Sequence, residues 1–254
     1  MNKRDILILS IALAAAFILI TVQFLPTQEA ISWGLSFPKP GSTPSGPESA
    51  AELYRYDAFF VGDTQEKVLY LTFDAGYENG HTRKILDVLK EEDVPAAFFL
   101  VGHYIEKNPD LVRRMAAEGH IVGNHTMHHP DMTDLNETDF AAELSGLERL
   151  YQQTTGAELL KFYRPPQGVY SKESLEYTQE LGYTTVFWSL AYADWQVDKQ
   201  PTKAQAFAKL IPRLHNGAII LLHSTSATNA EILQELIQKC KAEGYRFVPL
   251  TDLR

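Results

Sequence analysis

The chain has 254 residues, of which 45% are hydrophobic and 22% are charged. This length suits one large α/β domain with a short appendage, and the composition excludes both a disordered chain and a multi-span membrane protein. The formal net charge of −9 disfavours nucleic acid as a partner, because phosphate binding needs a basic surface. The single cysteine, Cys240, excludes an intramolecular disulfide and is expected to pack within a helix.

A basic and then apolar segment opens the chain. Lys3 and Arg4 precede residues 6–25, an uncharged run that is long enough to cross a bilayer. Residues 1–30 are therefore either a membrane anchor or a cleaved signal peptide. Gln28 breaks the small-x-small pattern of a cleavage site, which favours the anchor. The positive residues before the span predict that the rest of the chain lies outside the cytoplasm, either membrane-anchored or secreted.

Residues 31–52 have the composition of a linker. Four prolines between residues 38 and 47 stand among several glycines and serines, which disfavours regular structure. We expect this segment to hold a folded catalytic domain, residues 53–254, away from the membrane.

Strand-like and helix-like segments alternate from residue 68 onward. The expected strands cover residues 68–73, 96–101, 121–122, 162–163, 184–188, 217–222 and 246–250. The expected helices cover residues 81–92, 108–118, 136–153, 171–181, 202–214 and 229–244. About seven such repeats predict parallel strands with crossover helices. A barrel is favoured over an open sheet because polar residues gather where the strands end.

Residue types that can perform catalysis lie at or just beyond the ends of five expected strands. They are Asp74, His125, Arg164, the pair Asp194 and Trp195, and His223. Each alone has an ordinary explanation, such as a turn, a surface salt bridge or a satisfied core histidine. The parallel strands of a barrel open their carboxyl ends on one face, where barrel active sites lie. The five together therefore favour one active site over five separate structural roles.

His125 and His129 stand four residues apart in the segment H-T-M-H-H. In a helix both imidazoles would share one face and could bind one metal ion, while His128 would face elsewhere. A histidine pair at this spacing is also common without function, so the spacing alone leaves both alternatives open.

The segments around these residues resemble the signature of the NodB-homology polysaccharide deacetylases, carbohydrate esterase family 4. They are, in order, T-F-D-A-G, H-T-M-H-H, R-P-P-Q-G, A-D-W and L-L-H-S-T-S, and the resemblance covers roughly residues 57–253. Further runs are similar to the delta-lactam-forming de-N-acetylases of spore-forming bacteria, namely Y-D-A-F, F-D-A-G-Y-E-N-G, G-H-I-V-G-N-H and F-W-S-L-A-Y-A-D-W.

This resemblance implies a fold and an activity. The fold is an α/β domain with a distorted (β/α)7-type barrel. The activity is removal of N-acetyl groups from amino sugars of peptidoglycan, with N-acetylmuramic acid as the implied sugar, on the route to muramic delta-lactam in the spore cortex. The implied partner is the peptidoglycan glycan strand, and no protein partner is expected.

The resemblance also implies a role for each motif residue. The implied acid–base residues are the general base Asp74, its orienting partner Arg164, the general acid His223 and its tuning partner Asp194. The implied ligand-binding residues are His125 and His129 for a metal, Trp195 for the sugar groove, and Gln167, near which a backbone N–H would stabilise the oxyanion. Amide hydrolysis needs a base for water, a stabiliser of negative charge and a proton for the leaving amine, and these residue types supply them.

Three positions depart from the family pattern. Ala75 stands where the family has an aspartate as third metal ligand, so a divalent metal, zinc being favoured, is expected to bind weakly. Glu78 or His81 could supply the missing ligand. Gln167 replaces a usual aromatic residue of the sugar groove, and Ala191 replaces a usual aspartate.

Two other functions stay open on the sequence. One is a deacetylase of another polysaccharide, similar to chitin or xylan. The other is a catalytically weakened glycan-binding relative, which Ala75 alone supports. The retained acid–base residues argue against the second alternative, because a binding module needs no acid–base pair.

Overall fold

A curled sheet of eight strands forms the centre of the structure, a computed structural model that describes residues 29–253. The strands within this range are β1 (Ile31–Ser32), β2 (Ala58–Phe59), β3 (Val68–Ala75), β4 (Ala96–Leu100), β5 (Ile121–Asn124), β6 (Phe162–Tyr163), β7 (Val169–Tyr170), β8 (Thr184–Val186), β9 (Ala218–His223) and β10 (Arg246–Phe247). The α-helices are α1 (Ala50–Leu53), α2 (Thr82–Glu91), α3 (Gly102–Lys107), α4 (Pro109–Ala117), α5 (Glu137–Thr155), α6 (Lys172–Glu180), α7 (Lys203–Leu210) and α8 (Ala227–Ala242).

The central sheet is parallel throughout and curls back on itself. Its strand order is β10, β3, β4, β5, β6, β8, β2, and β9 pairs with β3. After β8, the N–H groups of Ser189 and Leu190 donate to the carbonyl of Ile219 in β9, at 3.0 and 3.1 Å. These bonds bring the two ends of the curled sheet together. The predicted alternation of parallel strands and crossover helices is therefore confirmed.

Strand β3 shows how the sequence divides its side chains between the two faces of the sheet. All eight of its residues are buried, as expected for a parallel strand covered on both sides. Leu69, Leu71 and Phe73 pack in the layer between sheet and helices, and Tyr70 packs in the barrel interior. Because side chains alternate along a strand, Asp74 shares the interior face with Tyr70. The strand thus delivers a carboxylate to the carboxyl end of the barrel interior.

From residue 68 onward, the helices follow the predictions closely, with two differences. The helix predicted over residues 202–214 ends at Leu210 and continues as a 3-10 turn over Ile211–Arg213, because Pro212 cannot donate a helical hydrogen bond. Helix α3 was missed, since its six residues are too few to show a periodicity. Cys240 is buried in α8, as expected for a packing residue.

The structure differs from the linker expectation over residues 31–52. Strand β1 pairs antiparallel with β7, and the indole N–H of Trp33 donates to the carbonyl of Trp188 at 3.0 Å. The Trp33 ring is 6% exposed and stacks on Phe187 with ring centroids 4.5 Å apart. A β-carbon on Gly46 would lie 2.5 Å from this ring, so glycine is required there. This segment, residues 29–48, is packed on the domain, and we call it the N-terminal strap.

Within residues 29–253, no helix combines the length and the apolar character needed to cross a bilayer. The predicted span over residues 6–25 lies outside the described residues.

Candidate active site

Residues from five strand ends meet in one cleft of about 710 Å³ at the carboxyl end of the barrel. Asp74 is the last residue but one of β3, His125 follows β5, and His223 ends β9. The loop after β8 carries Trp195 to the rim, where its side chain is 52% exposed. The predicted site residues that line the cleft are Asp74, His125, His129, Gln167, Trp195 and His223. The remaining two, Arg164 and Asp194, lie directly behind this lining.

Arg164 is fully buried beneath the cleft and fixes the position of Asp74. Its Nη1 donates to Oδ1 of Asp74 at 2.6 Å, and its Nη2 donates to Thr72 Oγ1 at 2.9 Å. Its Nε donates to the carbonyl of Val186 at 2.9 Å, and the guanidinium stacks on Phe99 at 4.1 Å. Burial acts to raise the pKa of Asp74, but the charge and hydrogen bond of Arg164, together with the nearby His125 and His223, outweigh it and hold the pKa below its ordinary value. Asp74 is therefore ionised at neutral pH.

His125 and His129 come together, although not through a helix. Their ring centroids are 4.9 Å apart, while Thr126 and His129 have φ angles of 71° and 59° in a tight turn. The turn is held because Thr126 Oγ1 accepts the N–H of His129 at 2.8 Å. The helical interpretation of the pair is wrong for this reason. His128 points away from the cleft and lies 2.7 Å from Glu143, as the sequence suggested.

The hydrogen bonds of His125 determine its tautomer. Its Nδ1 lies 2.8 Å from the carbonyl oxygen of Arg164, which can only accept, so Nδ1 carries the proton. Its Nε2 lies 3.7 Å from Oδ2 of Asp74. Burial lowers the pKa of His125 to about 4, and burial also lowers the pKa of His129. Both rings are neutral at pH 7 and offer nitrogen lone pairs to the cleft.

His223 forms a second pair on the opposite wall, with Asp194. Its Nδ1 lies 2.7 Å from Oδ1 of Asp194, and its backbone N–H donates to Oδ2 at 2.8 Å. Asn229 also donates to Oδ2, at 2.6 Å, so the buried carboxylate is fixed from two sides. Burial acts to lower the pKa of His223, but the charge and hydrogen bond of Asp194, together with the charge of Asp74, outweigh it and raise the pKa above its ordinary value. The two pairs therefore favour a negative charge on Asp74 and a positive charge on His223, and both groups line one cleft.

Comparisons with known proteins agree with this geometry. The profile of the polysaccharide deacetylase family matches residues 61–186. The peptidoglycan-N-acetylmuramic acid deacetylase PdaA of Bacillus subtilis is 43% identical over 226 residues, 89% of this chain and 86% of that protein. This chain belongs to the polysaccharide deacetylase family. A peptidoglycan-N-acetylglucosamine deacetylase of Bacillus cereus is 34% identical over 212 residues, 82% of this chain and 74% of that protein.

Solved structures of the family share the fold. PdaA of B. subtilis, a family 4 carbohydrate esterase, superposes with a TM-score of 0.86 at 43% identity and covers 90% of this chain and 98% of its own. A family 4 carbohydrate esterase of Bacillus anthracis gives a TM-score of 0.74 at 42% identity, covering 89% and 96%. The predicted α/β barrel of the polysaccharide deacetylase type is thus confirmed.

The side chains around the histidine pair do not form a three-ligand metal site. Deacetylases of the family are generally metal-dependent, and His125 and His129 offer two neutral nitrogen donors. Ala75 has only a buried methyl group, which packs in the core. Glu78 accepts hydrogen bonds from Thr82 and from Tyr104, the latter at 3.0 Å, so it does not replace the missing aspartate. Among residues 29–253 there is no group of three or more His, Cys, Asp or Glu side chains that could hold a metal ion.

The walls of the cleft include residues that the sequence did not predict. The strap contributes Trp33, Leu35 and Phe37 to the cleft lining, and Arg213 joins them from the turn after α7. The apolar residues of the strap alternate with small polar ones, which is the signal of an extended segment. Gln167 has a φ of 57° in the R-P-P-Q-G turn and lines the cleft at the position where an aromatic residue is usual.

Proposed function

We propose that the chain is a hydrolase that removes the N-acetyl group from N-acetylmuramic acid in peptidoglycan, on the route to muramic delta-lactam in the spore cortex. The observation that carries the proposal is the pair of oppositely tuned groups in one cleft. Asp74 has a lowered pKa beside Arg164, and His223 has a raised pKa beside Asp194. The likeness to the N-acetylmuramic acid deacetylase of B. subtilis supports the choice of sugar.

The base and the acid act on the two sides of the acetamide. Asp74 accepts a proton from the water that attacks the acetyl carbonyl carbon. Since Nδ1 of His223 is bound to Asp194, Nε2 is the nitrogen that can give its proton to the leaving amine as the carbon–nitrogen bond breaks. The products are acetate and the free amino sugar, and the atoms balance with the water consumed.

The other cleft residues orient the substrate and the charges. Arg164 keeps Asp74 ionised and aimed into the cleft through four hydrogen bonds, to Asp74, Thr72, Val186 and Phe187. The Trp195 ring lies 6.0 Å from the His223 ring and offers a flat apolar surface for a sugar. A backbone N–H in the turn at Gln167 is proposed to stabilise the oxyanion.

His125 and His129 are proposed as the ligands of a weakly bound divalent metal, zinc being favoured. When bound, such a metal polarises a carbonyl and lowers the pKa of water. Two protein ligands are fewer than the three of an ordinary catalytic zinc site, so the affinity is expected to be low.

The place of action proposed is the outer face of the cytoplasmic membrane. Residues 1–30 are proposed as an anchor or signal segment, on the basis of the basic and then apolar sequence of the N-terminus. Peptidoglycan is the proposed partner, and the family likeness to peptidoglycan deacetylases supports it.

Acetate release tests the proposal directly. The purified full-length chain is incubated with peptide-free peptidoglycan strands, with and without added zinc, and acetate is measured by mass spectrometry. Fragmentation of the product locates the new amine on muramic acid or on glucosamine. An amine only on glucosamine, or activity only on chitin oligomers, would reject the proposed sugar. Binding of strands without any acetate would favour the glycan-binding alternative.

A further inference from the structure

Arg213 places a cation in the wall of the deacetylase cleft, on the same wall as Tyr192 and Ala193. It is half-buried. Within residues 29–253, no carboxylate forms a salt bridge with it, whereas Arg164 is paired with Asp74 below the cleft. The Arg213 charge is therefore not neutralised by a carboxylate among these residues and is available to an anion in the cleft.

Two contacts hold the Arg213 side chain in place. The guanidinium lies 3.9 Å from the centre of the Phe37 ring, and its Nη1 donates to the carbonyl of Ala191 at 3.1 Å. The strap is fixed at the same point, because the N–H of Gly41 donates to the carbonyl of Pro212 at 2.9 Å. One N–H of a guanidinium with five is therefore used, and the others remain for an anion in the cleft.

The surface next to Arg213 is also basic. A second cleft of about 630 Å³ shares Tyr192, Ala193 and Arg213 with the first, and Lys199 and Lys209 line it further out. Among the residues that the structure describes, none with an acidic side chain lines this second cleft. In a chain with a net charge of −9, three cations without an acidic neighbour in one lining indicate a track for an anionic polymer.

We propose that Arg213 binds the carboxylate of the lactyl ether on muramic acid, and so selects muramic acid over glucosamine. This inference rests on the proposed function. Muramic acid differs from glucosamine by this ether, whose carboxylate is free only when no stem peptide is attached. A planar guanidinium suits a carboxylate because two parallel N–H groups can reach both oxygens. A stem peptide also carries carboxylates, and the test below separates that source from the lactyl group.

The test compares the wild type and two Arg213 variants on matched substrates. Peptide-free strands carry free lactyl carboxylates, and the same strands treated to convert these groups to methylamides carry none. For the wild type, we expect kcat/KM to be about tenfold higher on the free carboxylates, chiefly through a lower KM, the size expected for a hydrogen bond to a charged group. Arg213→Gln should remove that advantage on the carboxylate strands and lower kcat/KM far less on the methylamide strands. Arg213→Lys should keep part of it.

A control variant tests whether the loss of any positive charge has the same effect. Melting temperatures of all variants show whether each one is still folded. Arg149→Gln removes the same charge from an exposed position on α5 and should leave kcat/KM unchanged on both substrates. Equal kcat/KM of the wild type on the two substrates would overturn the inference, as would an equal loss for Arg213→Gln on both. A loss for Arg213→Gln only on intact peptidoglycan would assign the residue to stem-peptide carboxylates instead. No acetate from the wild type on any strand would overturn the proposed function, and the inference with it.

Discussion

Replacing Asp194 with asparagine removes the charge that keeps His223 protonated. Asp194 is 1% exposed, its Oδ1 lies 2.7 Å from Nδ1 of His223, and its Oδ2 accepts two N–H groups. The oxygen of the asparagine must still accept those two N–H groups, from His223 and Asn229, so its NH₂ turns toward Nδ1. The variant therefore loses the negative charge and also faces Nδ1 with a donor, which opposes a proton there.

The direction and size of the effect follow from the pKa of His223. Because that pKa is raised above 6.5, the acid form persists to higher pH, and activity is lost as pH rises through the raised pKa. Without Asp194 the effect of burial dominates and the pKa falls. An opposite charge at this distance contributes about 1–3 units, and each unit changes the protonated fraction about tenfold. In Asp194→Asn the basic limb of kcat/KM should move down by at least about one unit, with activity partly recovered at lower pH.

The assay is the pH profile of acetate release, from about pH 5 to about pH 9, around the range in which a histidine titrates. Asp198→Asn is the charge-matched control, since Asp198 is exposed on the same loop. It should leave the basic limb in place. Circular dichroism at each pH confirms that the protein stays folded. A basic limb at the same pH in Asp194→Asn and in the wild type would refute the assignment of His223 as the acid.

Three further predictions concern the base, the strap and the metal. Asp74→Asn should reduce kcat by about 10²–10⁴-fold, because it removes the proposed base. It should also lower the free energy of unfolding by about 3–5 kcal/mol, because it leaves Arg164 buried without its partner. Turnover and urea unfolding, measured on the same preparation, check both effects. Trp33→Ala should cost about 3–5 kcal/mol in urea unfolding, and normal stability would show that the strap does not belong to the folded domain. Calorimetry should show weak zinc binding that His125→Ala or His129→Ala abolishes, and tight binding by the wild type would mean that another side chain completes the site.

The barrel and the meeting of its strand ends could be read from the sequence. An apolar run such as the first six residues of β3 has to be covered on both faces, and parallel strands bring their last residues to one edge. Asp74, His125 and His223 each stand directly at such an end, so the strand boundaries alone were enough to predict that they lie close together. The partner of each group was harder to predict, since Asn229 reaches Asp194 from a helix thirty-five residues further along the chain.

Two features could not be predicted because local signals compete there. His125 and His129 have helical spacing, but Thr126 and His129 have left-handed backbone angles. The tight turn that results, and not a helix, brings the two imidazole rings together. The strap has the composition of a linker, and composition outweighed the alternation of Trp33, Leu35 and Phe37. Whether such a segment packs on the domain depends on an aromatic pocket formed by residues that are distant in the sequence. One of these residues is Phe187, on which the Trp33 ring stacks. That pocket exists only in the folded chain.

The packed strap would set the reach of an enzyme held by the proposed N-terminal anchor. The apolar run of that anchor ends at residue 25 and the strap begins at residue 29, so three residues, 26–28, would separate membrane and domain. Three residues span at most about 11 Å when fully extended. The strap also forms one wall of the cleft, so an anchor at this end would hold the cleft on the membrane side of the domain. An enzyme tethered in this way would reach only the glycan strands that lie against the membrane.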